Sequence, residues 1–372
     1  MSVAIVIGTR PEIIKMAPVV FELKRRSVPF EIIHTGQHYD RLLSEVFFDE
    51  LELPRPDSFL AIGSGSPAEQ TARAMIAIEK ELVNRDPDVV LVQGDTNTVL
   101  AGALAGTKSG YPVGHVEAGL RSYDLRMPEE YNRRLADHVS TYLFAPTEKS
   151  AENLRKEGVP GKIFVTGNTV IDACNRYVPV AESRSNVLSR INFKRYCLAT
   201  AHRAENVDDP DVLKAFAEIF DRCPEPVVFP VHPRTRKLLA GTDIGARLEK
   251  SSNVQLIDPQ GYFDFLTLMK HSQFIITDSG GIQEEATAPS INKRVFVLRL
   301  STERPEAVES GHAVVVGTDP ERVLPAIDSY VVDGCKPPAI SSPFGKGDAA
   351  QKTVGTLVAE LEALGNKPTD WQ

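Results

Sequence analysis

The sequence predicts an α/β fold made of two doubly wound parallel sheets, and three observations carry that prediction. Short β-branched runs alternate with longer amphipathic stretches along almost the whole chain, which is the pattern of βα units feeding a parallel sheet. The chain has 372 residues, 42% of them hydrophobic, whereas single cores stop growing near roughly 250–300 residues. The alternation also halts once, over the polar, Ser/Asn/Arg-rich stretch Ala181–Arg195, and then resumes.

The first series places strands at Val3–Ile7, Glu31–His34, Val89–Val92, Val113–Val116, Tyr142–Ala145 and Ile163–Val165. Helices fall between them. Ile13–Arg26 carries Ile13, Ile14, Met16, Ala17, Val20 and Leu23 near helical spacing, and Ala68–Val83 follows the same period. The second series places strands at Tyr196–Thr200, Val227–Val231, Val254–Ile257, Phe274–Thr277, Val295–Leu298 and Ala313–Val316. The break lies near residues 168–195, giving domains over 1–170 and 171–348. A final helix begins at Ala349, after the Pro- and Gly-rich loop Lys336–Gly347.

Charge and cysteine usage narrow the partners. The formal net charge is −8, which provides no broad basic field for nucleic acid or anionic lipid. An anion must then be met locally, and four small clusters are available: Arg10 with Lys15, Arg121 with Arg126, His202 with Arg203, and His232 with Arg234. No apolar run is long enough to span a bilayer, and "MSVAIVIGTRPE" lacks a basic leader region, so a soluble cytoplasmic protein is expected. Cys174, Cys197, Cys223 and Cys335 have neither zinc nor disulfide spacing and read as reduced and buried.

Ligands of doubly wound sheets sit outside the carboxyl ends of the strands, which gives weight to the polar residues there. "TDSGGIQEEA" (277–286) ends a strand and opens a helix; Ser279, Gly280 and Gly281 allow backbone N–H groups to approach a phosphate at a helix N-terminus. The same residues also make an ordinary turn and cap. "GTRPEIIKMAP" (8–18) has the same form, and Arg10 suits bidentate phosphate binding, with Lys15 behind it. Asp95 in "LVQGDTNT" reads locally as a cap. Glu117 in "HVEAGLR" has no local structural reason to be an acid. Pro128, Glu129 and Glu130 fit a first helical turn. His202 and His232, each followed by an arginine close by, suit an anion clamp better than a metal site, because no histidine pair has ligand spacing. There is no P-loop and no strand-linked G-x-G-x-x-G.

Taken together, "GTRPEIIKMAPVV", "TGQHYD", "VQGDTNTVLAGALAG", "VGHVEAGLRS", "MPEEYNRRLADH", "VTGNTVIDA", "TAHRAENVD", "VHPRT", "TDSGGIQEEA" and "STERPEA" resemble the non-hydrolysing UDP-N-acetylglucosamine 2-epimerases, in order from Ile7 to about Asp319. The resemblance implies a glycosyltransferase-B architecture: two Rossmann-like domains, an active site in the interdomain cleft, and the C-terminal helix (about 349–372) packed back on the first domain. It implies conversion of UDP-GlcNAc to UDP-ManNAc by anti elimination of UDP to 2-acetamidoglucal and re-addition, with no cofactor or metal, in a homodimer.

By motif, Asp95, Glu117 and Glu130 resemble the catalytic carboxylates and His202 the histidine assisting the leaving pyrophosphate. Arg10, Lys15, His232, Ser279, Gly280 and Gly281 fall to diphosphate binding, Glu285 to the ribose hydroxyls and Phe265 to uracil. Bacterial members bind a second UDP-GlcNAc as activator through side chains that this chain replaces with Asp40, the small residues around Gly63–Ser66, and Ala204. The pattern is closer to an archaeal-type branch, which resembles epimerases of UDP-2,3-diacetamido-glucuronate. That substrate, and a glycosyltransferase of the same fold, are the alternative functions.

Overall fold

The computed structural model describes residues 1–36 and 41–365. It divides into two compact units, one of residues 1–173 with 347–372 and the other of residues 174–346. The Gln37–Asp40 stretch and the side chain of Ala204, both invoked above for an activator site, lie outside the described residues.

The N-terminal unit runs β1 (Val3–Ile7), α1 (Arg10–Arg25), β2 (Phe30–His34), α2 (Arg41–Glu50), β3 (Ser58–Phe59), α3 (Pro67–Arg85), β4 (Val89–Gln93), α4 (Asn97–Lys108), β5 (Val113–Val116), α5 (Pro128–Val139), β6 (Tyr142–Ala145), α6 (Glu148–Glu157) and β7 (Lys162–Val165). All its strands are parallel, in the order β3-β2-β1-β4-β5-β6-β7. β1 and β4 are buried at every position, as strands covered on both faces must be, which is why they read as unbroken apolar runs. Helix α4 lies close on them: a Cβ at Gly102 would come within 2.8 Å of Val92.

Helix α7 (Thr169–Arg184) leads out of this unit. The second unit contains β8 (Cys197–Thr200), α8 (Ala204–Val207), α9 (Pro210–Arg222), β9 (Val227–Pro230), α10 (Pro233–Leu239), α11 (Asp243–Lys250), β10 (Val254–Ile257), α12 (Tyr262–His271), β11 (Ile275–Thr277), α13 (Gly280–Glu285), β12 (Val295–Val297), α14 (Pro305–Glu309), β13 (Ala313–Val315) and α15 (Pro320–Val332). Its parallel order β10-β9-β8-β11-β12-β13 repeats the same winding. Phe216, Phe220, Phe229, Phe274 and Phe296 fill its core, each burial worth about 1.5–3 kcal/mol against exposure.

The last helix, α16 (Ala349–Gly365), belongs to the N-terminal unit and packs on α1. Asp172 of α7 caps it, accepting from the Ala350 N–H at 3.0 Å and the Ala349 N–H at 3.2 Å. The four cysteines are buried thiols outside any disulfide. Cys197 and Cys223 are less scattered than their spacing suggests, since their sulfurs approach to 3.7 Å. No helix among the described residues is long and apolar enough to cross a membrane.

Candidate active site

Each sheet reverses its winding once, between β1 and β4 in the first unit and between β8 and β11 in the second. Such a switch point opens a crevice at the strand ends, and Arg10 and Asp95 in the first unit, with His202, Ser279, Gly280 and Gly281 in the second, follow the strands that flank it.

In the N-terminal unit, β1 ends at Gly8-Thr9-Arg10 and β4 at Gly94-Asp95-Thr96. Gly8 is required: the Thr35 and Thr98 hydroxyls, 2.8 Å apart, would lie within 2.3 Å of any Cβ there. Glu12, in the first turn of α1, ties the two loops together. Its Oε2 accepts the Gly8 N–H at 2.6 Å, and its Oε1 accepts the hydroxyls of Thr9 at 3.0 Å and Thr96 at 2.7 Å. Burial pushes this carboxyl up to about 7 against the three donors that favour the anion, and Asp95 adds to the upward push. Arg10 is exposed, its guanidinium 5.5 Å from the Phe47 ring centre.

Glu117 follows β5 in a left-handed conformation, φ +71°, which is rare for a residue with a Cβ and costs of order 1–3 kcal/mol. The strain aims the carboxylate inward. Its Oε2 accepts from Lys15 Nζ at 2.5 Å and from the amides of Gln93 and Asn168, both at 3.2 Å. Lys15 is thus a buried partner of the Glu117 carboxylate.

The charged stretch after Glu117 is a folded knot of ion pairs. Arg121 is buried, with Asp137 Oδ2 at 2.8 Å and both Glu157 oxygens at 2.7 and 2.9 Å. Arg126 is exposed and pairs with Asp124. These two arginines do not form an anion cluster, because Arg121 is already neutralised. Arg133 bridges two of the expected acids: Nη2 meets Asp95, and Nη1 meets Glu130 at 3.0 Å. Asp95 keeps 28% of its side chain exposed. Glu130 is buried, and both its oxygens are engaged, Oε2 by the Ser122 N–H and hydroxyl and by Arg133, Oε1 by the Tyr123 N–H. Glu129 is exposed in the first turn of α5.

In the second unit, His202 follows β8 with Nδ1 3.1 Å from Asp278 Oδ1. Burial alone would raise the Asp278 carboxyl; the His202 ring, the Arg203 N–H and the Asn206 amide outweigh it and hold the group below its usual value. With Nδ1 turned to Asp278, Nε2 is the nitrogen left to face a ligand. The His232 ring lies 5.9 Å from that of His202, and its Nδ1 caps α10 by accepting the Arg234 N–H at 3.3 Å. Burial, then the His202 charge, lower its pKa. The neighbouring arginines are spoken for: Arg234 pairs with Asp208, and Arg203 lies 3.5 Å from Glu303.

Ser279 caps α13, while Gly280 faces Glu303, Arg203 and Arg304 and a Cβ on Gly281 would meet nothing. Thr302 and Gln283 brace this turn, the Thr302 hydroxyl donating to Gln283 at 2.6 Å and the Gln283 amide to the Ser279 carbonyl at 3.1 Å. Glu285 is half-buried at the end of α13, and Phe265 half-buried in the second turn of α12. Among the described residues no group of three His, Cys, Asp or Glu gathers in a way that could hold a metal.

Sequence reasoning missed Glu12, His115, Arg133 and Asp137. Glu12 and Arg133 look like first-turn and surface charges, and the partners that tie them into the site, Thr96 and Asp95, lie 84 and 38 residues away. A histidine and an aspartate at core positions of β5 and α5 were the available signal for the other two.

A family model described as UDP-N-acetylglucosamine 2-epimerase matches residues 22–358. The UDP-N-acetylglucosamine 2-epimerase of Methanocaldococcus jannaschii is 44% identical over 369 residues, covering 96% of this chain and 99% of that protein. A crystal structure of the M. jannaschii enzyme in complex with UDP-GlcNAc and UDP superposes with a TM-score of 0.87, covering 96% of this chain and 100% of the other. The UDP-2,3-diacetamido-2,3-dideoxy-D-glucuronate 2-epimerase of Pseudomonas aeruginosa is 40% identical over 331 residues, covering 87% and 90%.

Proposed function

Since the chain belongs to the UDP-N-acetylglucosamine 2-epimerase family, we propose that it interconverts UDP-GlcNAc and UDP-ManNAc by eliminating and re-adding UDP. The observation that carries this reading is the pair of carboxylates, Asp95 and Glu117, at the ends of the adjacent strands β4 and β5, with Glu117 held in place at the cost of backbone strain.

The chemistry needs that pair. C2–H is not acidic in the resting sugar. As the C1–O bond to UDP stretches, oxocarbenium character at C1 acidifies C2, and a placed carboxylate removes the proton. The C1–O electrons leave with UDP, and a C1–C2 double bond forms. In the reverse sense the glucal takes a proton at C2 from the opposite face and UDP re-attacks C1, so two acids on two faces invert the centre. Asp95 and Glu117 are assigned to these transfers. Glu130 is assigned with them as the third catalytic carboxylate, and it shares Arg133 with Asp95.

The second unit is assigned the leaving group. His202, oriented by Asp278, donates from Nε2 to the departing diphosphate, and Ser279, Gly280, Gly281 and His232 stabilise its charge; Arg10 and Lys15 of the N-terminal unit are assigned to the diphosphate as well, following the family resemblance. Glu285 and Phe265 are assigned to ribose and uracil. The assembly is assigned as a cytoplasmic homodimer, following the family resemblance.

The test is incubation of UDP-GlcNAc with the enzyme alone in D₂O, followed by NMR. UDP-ManNAc should form, and both sugars should carry deuterium at C2; product with its C2 hydrogen retained would refute elimination. The same assay with UDP-2,3-diacetamido-glucuronate examines the second reading, which the P. aeruginosa relative motivates.

A further inference from the structure

His115 is in the middle of β5, fully buried, two residues before Glu117. Its Nδ1 is 2.7 Å from Oδ1 of Asp137, and its Nε2 is 2.8 Å from the carbonyl oxygen of Gly94. A carbonyl oxygen only accepts. Asp137 is likewise an acceptor, because its other oxygen faces the Arg121 guanidinium at 2.8 Å and takes the Gly119 N–H at 3.2 Å. A neutral imidazole has a single N–H, so one of the two contacts would set lone pair against lone pair in a buried place.

From this geometry we infer that His115 is held as a doubly protonated imidazolium, and that its Nε2–H makes it the positioning residue for Asp95. The inference rests on the epimerase reading for its catalytic meaning and on the two contacts for its chemistry.

The link to Asp95 is one peptide long. Gly94 has φ +87° and donates its own N–H to the Val116 carbonyl at 3.1 Å. Its carbonyl oxygen belongs to the Gly94–Asp95 peptide plane, so a donor fixing that oxygen fixes the direction in which Asp95 leaves the sheet. Without the donor, a left-handed glycine has little to hold it, and the oxygen is left unsatisfied.

Burial alone would lower the imidazole's pKa; Asp137 of α5, the Gly94 carbonyl and Glu117 outweigh it and raise it. Arg121 shares Asp137 and Lys15 of α1 pairs with Glu117, and both cations oppose a charge on the ring. The charge in turn favours the ionised form of Glu117. One buried cation thus serves both carboxylates, Asp95 through the backbone and Glu117 through the field.

The experiment uses the full chain labelled with ¹⁵N-histidine, together with His115→Gln and His115→Asn. The glutamine amide nitrogen reaches the place of Nε2 and can keep the Gly94 contact; that of asparagine reaches only the place of Nδ1 and can keep Asp137. One of the eight histidines should keep two protonated ring nitrogens above the ordinary imidazole range, where unpaired histidines are neutral, and that signal should be missing in both variants. H115N should lose on the order of 10²-fold in kcat with KM and UDP affinity nearly unchanged, and H115Q should recover about tenfold of it.

A neutral tautomer at His115, or an H115Q no faster than H115N, would overturn the inference. Should H115N fail to fold, the resonance of the unsubstituted protein and the kcat of H115Q still decide. Absence of epimerase activity in the unsubstituted protein would refute the reaction while leaving the charge state readable.

Discussion

Glu12→Gln should abolish a fall in stability that the N-terminal unit otherwise suffers between about pH 5 and 8. The Glu12 carboxyl moves from 4.5 to about 7 on folding because burial outweighs the Thr96, Gly8 and Thr9 donors. The folded state therefore holds this proton more tightly than the unfolded chain does. Its stabilising contribution is whole below about pH 4.5, declines above it, and is lost once pH passes about 7. A rise of roughly 2.5 in pKa is worth about 3 kcal/mol, and no discount for solvent applies because the group is fully buried. Glutamine fits the same contacts, with its oxygen on the Gly8 N–H and its amide on the two hydroxyls, and it does not titrate. Thermal unfolding of both proteins at pH 5, 6, 7 and 8 isolates the effect, since every other titrating group cancels in the difference. For a unit of this size the difference in Tm between the proteins should change by roughly 6–12 °C across the range. A constant difference would mean that the three donors keep Glu12 ionised throughout, and the balance between burial and hydrogen bonding drawn here would be refuted.

Asp95→Asn and Glu117→Gln should each lower kcat by on the order of 10² or more with UDP affinity nearly unchanged, whereas His202→Asn should weaken UDP binding as well; calorimetry with UDP and steady-state rates separate the two patterns. Arg121→Met strips the shared cation from buried Asp137 and Glu157 and should cost about 3–5 kcal/mol in denaturant unfolding. The replacements at Asp40, Gly63–Ser66 and Ala204 predict hyperbolic kinetics, with pure UDP-ManNAc converted at once. A lag that a trace of UDP-GlcNAc removes would count against this.

The strand series was legible because buried parallel strands are apolar at every position, as in β1 and β4. β3, at two residues, carries too little pattern to detect, and α10 and α11 are short helices set in a polar stretch. The chemistry-bearing residues were legible as types at strand ends, while their commitments were not. Lys15 looked like a free cation until Glu117, 102 residues away, turned out to hold it, and Arg121 looked available to an anion until Asp137 and Glu157 enclosed it. Ion pairing of this kind depends on which elements the fold brings together, and local periodicity carries no information about it. His115 failed for the opposite reason: a histidine inside a strand resembles a satisfied core residue, and only the pair of acceptors around it reveals its charge.

The Asp137 network also bears on biosynthesis. Arg121 needs Asp137 and Glu157, and Asp137 holds His115, Arg121 and the Gly119 N–H. A nascent chain that has emerged only as far as α5 carries a desolvating Arg121 with half its counter-charge still inside the ribosome. The stretch from β5 to α6 balances its buried charges only once Glu157 is released, and until then Arg121 is better exposed to water. Slow codons placed just before α6 would prolong that exposure, and the same codons placed after it would not.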